Sequence, residues 1–176
     1  VNVPELTLTH VFNVPVRCIR WHRGDASILI TLSENGSLTF FDVHTGQAVR
    51  YVTHRCLRGG FMAEQSPLNF DEFSVCTPVG VCIMSVKQMS IKQVHTIAQT
   101  ATTGSRSTTP VAAEVVRMIH YLQDTPQRLL IATTRRLLVV DTVIGKVIGA
   151  CTLEEPCDIF TEAYEDSVVY AFSDNS

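Results

Sequence analysis

Short apolar runs separated by turn-forming residues set the pattern of this chain. Val16-Arg17-Cys18-Ile19-Arg20-Trp21 predicts a strand, and Gly24-Asp25 a turn. Ile28-Leu29-Ile30-Thr31-Leu32 predicts a second strand. Glu34-Asn35-Gly36-Ser37 is a tight hairpin turn, with Asn-Gly supplying the positive φ angles that such turns need. Leu38 to Val43 forms a third strand, Thr45-Gly46 turns again, and Gln47 to Val52 forms a fourth. The result is a four-stranded antiparallel meander. No apolar run approaches the ~18 residues of a spanning helix.

The meander recurs. Gly60 to Ala63 opens a second unit, which continues through Phe73 to Cys76, a Pro78-Val79-Gly80 turn, Val81 to Val86, and Ile91 to Val94. A third runs through Val115 to Ile119, Leu129 to Ala132, Leu137 to Asp141 and Lys146 to Ala150. A fourth begins with Cys157 to Phe160 and Ser167 to Ala171. The units fall at 16–53, 58–95, 115–152 and 157–176. The steps are 42, 57 and 42 residues, the long one holding a polar insertion loop at 99–110. A four-strand unit every ~40–45 residues is the signature of a β-propeller blade. Blades stack face to face, so covered strands read as continuous apolar runs, as Ile28-Leu29-Ile30 and Leu137 to Val140 do. One segment carries a second pattern. Thr109-Pro110 looks like a helix start, and Val111, Val115, Ile119 and Leu122 follow at helical spacing. The 42-residue phase favours a strand from Val115.

The stretch Thr31 to Gly46 resembles the central part of a WD repeat, and Leu138 to Lys146 echoes it. Phe41 stands where that family usually has Trp, and Asn35 where it has the turn Asp. His54 could supply the family's Gly-His position before the second unit. The resemblance implies an all-β fold of four-stranded antiparallel blades, a WD-repeat-like propeller fragment forming one partial domain over 1–176. It implies a scaffold that presents loops and faces to other proteins or peptides within larger assemblies. Three units and half of a fourth do not close a ring, and propellers use about four to eight blades. The expectation is therefore that further chain, or another protein, supplies the remaining blades. Glu5 to Phe12 could be an outer strand.

Composition agrees. Val, Ile and Thr make up 52 of 176 residues, an enrichment that favours strands. The net charge of −3 argues against a general nucleic-acid binder. Six Arg face four acids over 1–60, whereas 151–176 holds seven acids and no Lys or Arg, a bipolar distribution that would orient a partner. The six cysteines contain no CxxC pair and mostly sit among apolar neighbours. With no secretory signal, they predict a reducing compartment, cytoplasm or nucleus.

Catalytic motifs are missing: no G-x-S-x-G, P-loop, H-E-x-x-H or Rossmann glycines. The six histidines are scattered. His54-Arg55-Cys56 comes nearest to a ligand pair, but zinc would need two more ligands. No metal or cofactor is expected. Asp42 and Asp141 end matching third strands, so turn hydrogen bonding is a better reading of them than acid–base work. Trp21 is expected to be buried against a neighbouring blade, with an interface anchor as the other reading. The expected partner-binding residues are Arg17, Arg20, Trp21, Arg23, Arg55 and Arg58, set against ordinary solvated arginines. The leading reading is a non-enzymatic interaction scaffold. The alternatives are a propeller enzyme or ligand-binding domain with a polar site in its channel, and an RNA-associated subunit.

Overall fold

The computed structural model describes residues 13–97 and 114–154, and the backbone of 159–163 and 168–172. It is all-β. The first sheet contains β1 (Val16–His22), β2 (Asp25–Ser33), β3 (Ser37–Asp42) and β4 (Gln47–Thr53). The second contains β5 (Met62–Gln65), β6 (Glu72–Thr77), β7 (Gly80–Ser85) and β8 (Ser90–Thr96). The third contains β9 (Val116–Tyr121), β10 (Arg128–Thr133), β11 (Arg136–Asp141) and β12 (Lys146–Thr152). Each is a four-stranded antiparallel meander with its strands in chain order. A two-stranded sheet, β13 (Ile159–Ala163) and β14 (Val168–Phe172), follows. Val116–Tyr121 is extended, so the helical reading of that stretch is overturned. Packing beneath β10 uses Val116, Ile119 and Tyr121, which a helix would scatter. The candidate helix start at Thr109 and the insertion loop at 99–110 lie outside the described residues, as does the candidate strand at Glu5 to Phe12.

The turns repeat because their chemistry repeats. Asp42 Oδ1 accepts from the backbone N–H of His44 (2.8 Å) and Thr45 (3.1 Å). Asp141 Oδ1 does the same for Val143 (2.9 Å) and Ile144 (3.1 Å). The turn-bonding expectation for both aspartates thus holds. In the second blade the position belongs to Ser85, whose Oγ accepts from Gln88 N (3.2 Å). Each turn ends on a left-handed residue: Gly46 (φ 66°), Met89 (φ 51°) and Gly145 (φ 70°). The third and fourth strands also slip register at equivalent places, after Phe40, Ile83 and Val139.

Two apolar layers hold the blades together. The first packs Cys18, Ile30, Leu32, Leu38 and Phe40 of blade 1 against Phe73, Val75, Cys82 and Met84 of blade 2. The second packs Cys76, Val81 and Ile83, on the opposite face of blade 2, against Ile119, Tyr121, Leu129, Ile131 and Val140 of blade 3. Successive strand residues point to opposite faces, so blade 2 feeds both layers. Its middle strands β6 and β7 are buried at every position. The outer strands β4 and β12 are mostly exposed. At the inner edge, β5 lies between β1 and β9, and β13 runs beside β9. The first strands therefore share one axis, and their ends frame the candidate site.

Candidate functional site

The six expected partner-binding residues do not form one cluster. β1 begins beside Ser33 and ends beside Asp25, so its two ends lie at opposite ends of the blade. Arg17 sits at the first and forms an ion pair with Glu34 (2.9 Å). The Arg55–Leu57 3-10 turn joins it there, because Gly59 N–H donates to the Glu34 carbonyl (2.9 Å). His54 caps that turn: its Nδ1 accepts from Cys56 N (3.2 Å). Arg55 and Arg58 are exposed, with no acidic partner among the described residues. Gly36 fits beneath this connection. A Cβ there would approach Arg58 N and the Leu57 carbonyl carbon to 2.8 Å.

Arg20, Trp21 and Arg23 lie toward the other end. They line a trough of about 640 Å³ with Met62 and Glu64 of β5 and with Arg117 and His120 of β9. The trough exists because three first strands run side by side. Glu64 organises its floor. Its Oε1 accepts from Arg23 Nη2 (3.0 Å) and from the backbone N–H of Tyr121 (3.4 Å), and lies 3.2 Å from His120 Nδ1. The Arg23 backbone N–H donates to Gln65 Oε1 (2.6 Å), fixing the β1–β2 turn against blade 2. Arg20 donates only to the adjacent Ile19 carbonyl (3.0 Å) and has no acidic partner among the described residues.

Trp21 is 59% exposed, so no described blade buries it. Glu64, Arg117 and His120 were missed in the sequence, because 40 to 100 residues separate them from Arg20 along the chain. A signal for the third blade existed: Val116-Arg117-Met118-Ile119-His120-Tyr121 repeats Val16-Arg17-Cys18-Ile19-Arg20-Trp21 position by position.

Other titratable groups serve the fold. Burial pushes the Cys82 thiol up to about 11, and the Cys76 thiol higher still. Burial also holds the Tyr121 hydroxyl protonated, and it shares a hydrogen bond with Ser74 Oγ (2.8 Å). Among the described residues, no three His, Cys, Asp or Glu side chains gather in a way that could hold a metal ion, and no helix is long and apolar enough to cross a membrane.

No family model and no curated protein matches the sequence. Solved structures do match. The β-propeller domain of Cps50 (Swd1) from Myceliophteria thermophila superposes with a TM-score of 0.63 at 14% identity, over 90% of this chain and 50% of that one. The structure of U3-55K superposes with a TM-score of 0.61 at 10% identity, over 85% of this chain and 43% of that one. The chain thus spans half or less of each structure it matches. At these identities the likeness is one of fold. With three four-stranded meanders around a shared inner edge, this chain has the all-β fold of part of a WD-type β-propeller.

Proposed function

We propose that this chain is a non-enzymatic protein-interaction scaffold, with residues 1–176 forming one partial propeller domain that works inside a larger assembly. One observation carries the reading. The arginines of blade 1 fall into two groups. Arg17, Arg23 and Arg50 pair with Glu34, Glu64 and Asp71. Arg20, Arg55 and Arg58 reach solvent without an acidic partner among the described residues. Arginines that a partner can desolvate are frequent anchors of protein interfaces, and these stand at both ends of one rigid blade.

The fold supports the same reading, since blades present turns and strand ends on a fixed frame. The five described cysteines are free thiols, which supports a reducing compartment, the cytoplasm or the nucleus.

The test is purification of the full native protein from its own cells, in parallel with an Arg55→Glu/Arg58→Glu variant and an Arg20→Glu variant. The expected result is a stoichiometric set of protein partners, reduced in at least one variant. Recovery of the protein alone, with no partner in any state, contradicts the scaffold reading.

A further inference from the structure

We propose that the trough lined by Arg20, Arg23 and Arg117 docks an acidic, extended segment of a partner protein. This rests on the scaffold reading and assigns a chemistry to one of its surfaces.

The charge balance points to the occupant. Among the described residues, the charged and titratable groups of the trough are Arg20, Arg23, Arg117, His120 and Glu64. Among the described residues Glu64 is the single carboxylate of the lining, and it is engaged by Arg23, by His120 and by a backbone N–H. Through Glu64, Arg23 is held in place with donor capacity to spare, since a guanidinium carries five N–H donors. Arg20 needs no displacement, because its only hydrogen bond is to its own strand. Arg20 on β1 and Arg23 in the turn after it are thus presented to an open space with no unengaged carboxylate beside them among the described residues. A carboxylate-bearing ligand supplies acceptors in the bidentate geometry that guanidinium favours.

Size and lining favour a peptide over a lone anion. The trough holds about 640 Å³ and runs across three strands from three blades, a space suited to several residues. Met62 and Met118 offer flexible apolar contacts between the charges. A segment alternating acidic and apolar side chains matches both features. Nucleic acid fits less well. Among the described residues Trp21 is the one large aromatic ring in the lining, whereas single strands are held by successive stacked bases.

The experiment titrates a short fluorescein-labelled peptide of alternating glutamate and leucine into the full native protein and follows anisotropy. The glutamate peptide is expected to bind and to weaken as salt rises. Its glutamine counterpart is expected to bind at least about ten-fold more weakly. Arg20→Glu is expected to lower glutamate-peptide affinity about ten-fold, while Arg20→Lys recovers part of the loss. Arg20 is exposed and bonded only locally, so its variants keep the parent circular dichroism and unfolding midpoint. Arg55→Glu/Arg58→Glu, at the other end of the blade, leaves the affinity unchanged. Equal binding of the glutamine peptide, or no effect of Arg20→Glu, overturns the assignment. Tighter binding of single-stranded RNA of matched length, lost in Arg20→Glu, also overturns it. If the peptide fails while native partners still co-purify and are lost in the Arg55→Glu/Arg58→Glu variant, the trough assignment falls and the scaffold reading stands.

Discussion

Trp21 and Tyr121 occupy the same position in blades 1 and 3, yet one is 59% exposed and the other 2%. Trp21 pairs with Leu29 and through it with Phe41, and Tyr121 pairs with Leu129 and through it with Val140. Ile19 and Ile119 repeat the contrast at 52% and 3%. The difference lies in what precedes each blade. Blade 2 covers Tyr121 and Ile119, and no described blade covers Trp21 and Ile19. Trp21 is the only tryptophan of the chain, so its fluorescence reports on this face alone. The isolated 176-residue chain is expected to emit as water-exposed indole. Seating of a further blade would move the emission to the blue.

The same pair makes a stability prediction. Tyr121→Ala removes a buried ring and is expected to cost about 3–5 kcal/mol in urea unfolding. Tyr121→Phe leaves Ser74 Oγ without its 2.8 Å partner and is expected to cost about 1 kcal/mol. Trp21→Ala in the isolated chain is expected to change stability by about 0.5 kcal/mol or less. A large loss at Trp21 would show that this face is already covered.

Met89 stands where blades 1 and 3 carry Gly46 and Gly145, and it alone has a side chain to clash with its own backbone at φ 51°. The left-handed conformation costs a non-glycine residue about 1–2 kcal/mol. Glycine gives back part of that gain through the freer unfolded chain. Met89→Gly is therefore expected to raise stability by up to about 1 kcal/mol. A thermal melt showing a lower midpoint would contradict this.

Glu114 precedes β9 and anchors the β10–β11 turn. It takes two hydrogen bonds from Arg136, Nε to Oε1 (2.8 Å) and Nη2 to Oε2 (2.7 Å), and one from Thr133 Oγ1 (2.5 Å). The Arg136 hydrogen bonds hold its carboxyl below the ordinary value of 4.5, outweighing the opposing effect of burial. A depressed folded-state value contributes stability that is present above the unfolded value and lost as pH falls through the folded one. Unfolding free energy is expected to drop below about pH 4.5 with a contribution that Glu114→Gln removes. At neutral pH that variant is expected to cost about 2 kcal/mol. Identical pH profiles for parent and variant would contradict the linkage.

Much of the fold was legible because it is written in local chemistry. Asn35-Gly36, Asp42 and Asp141 announce their turns, and the apolar runs between them announce β2, β3 and β11. Met89 hid the second blade's turn, because no glycine marks it. The trough was half legible. Arg20 and Arg23 stood out near Trp21, but Arg17 joins them only in sequence, since it points to the other end of the blade. Glu64 could not be placed beforehand, because its role depends on β5 lying between β1 and β9. That adjacency is set by packing between blades, not by any short-range pattern.

The most direct test of an interaction scaffold working through blade 1 is hydrogen–deuterium exchange on the native protein, free and in its purified assembly. Slowed exchange confined to β1 and β5 beside the trough, or to the Arg55–Arg58 connection, is the predicted result. Exchange at both places that is unchanged between the free and assembled states would contradict it.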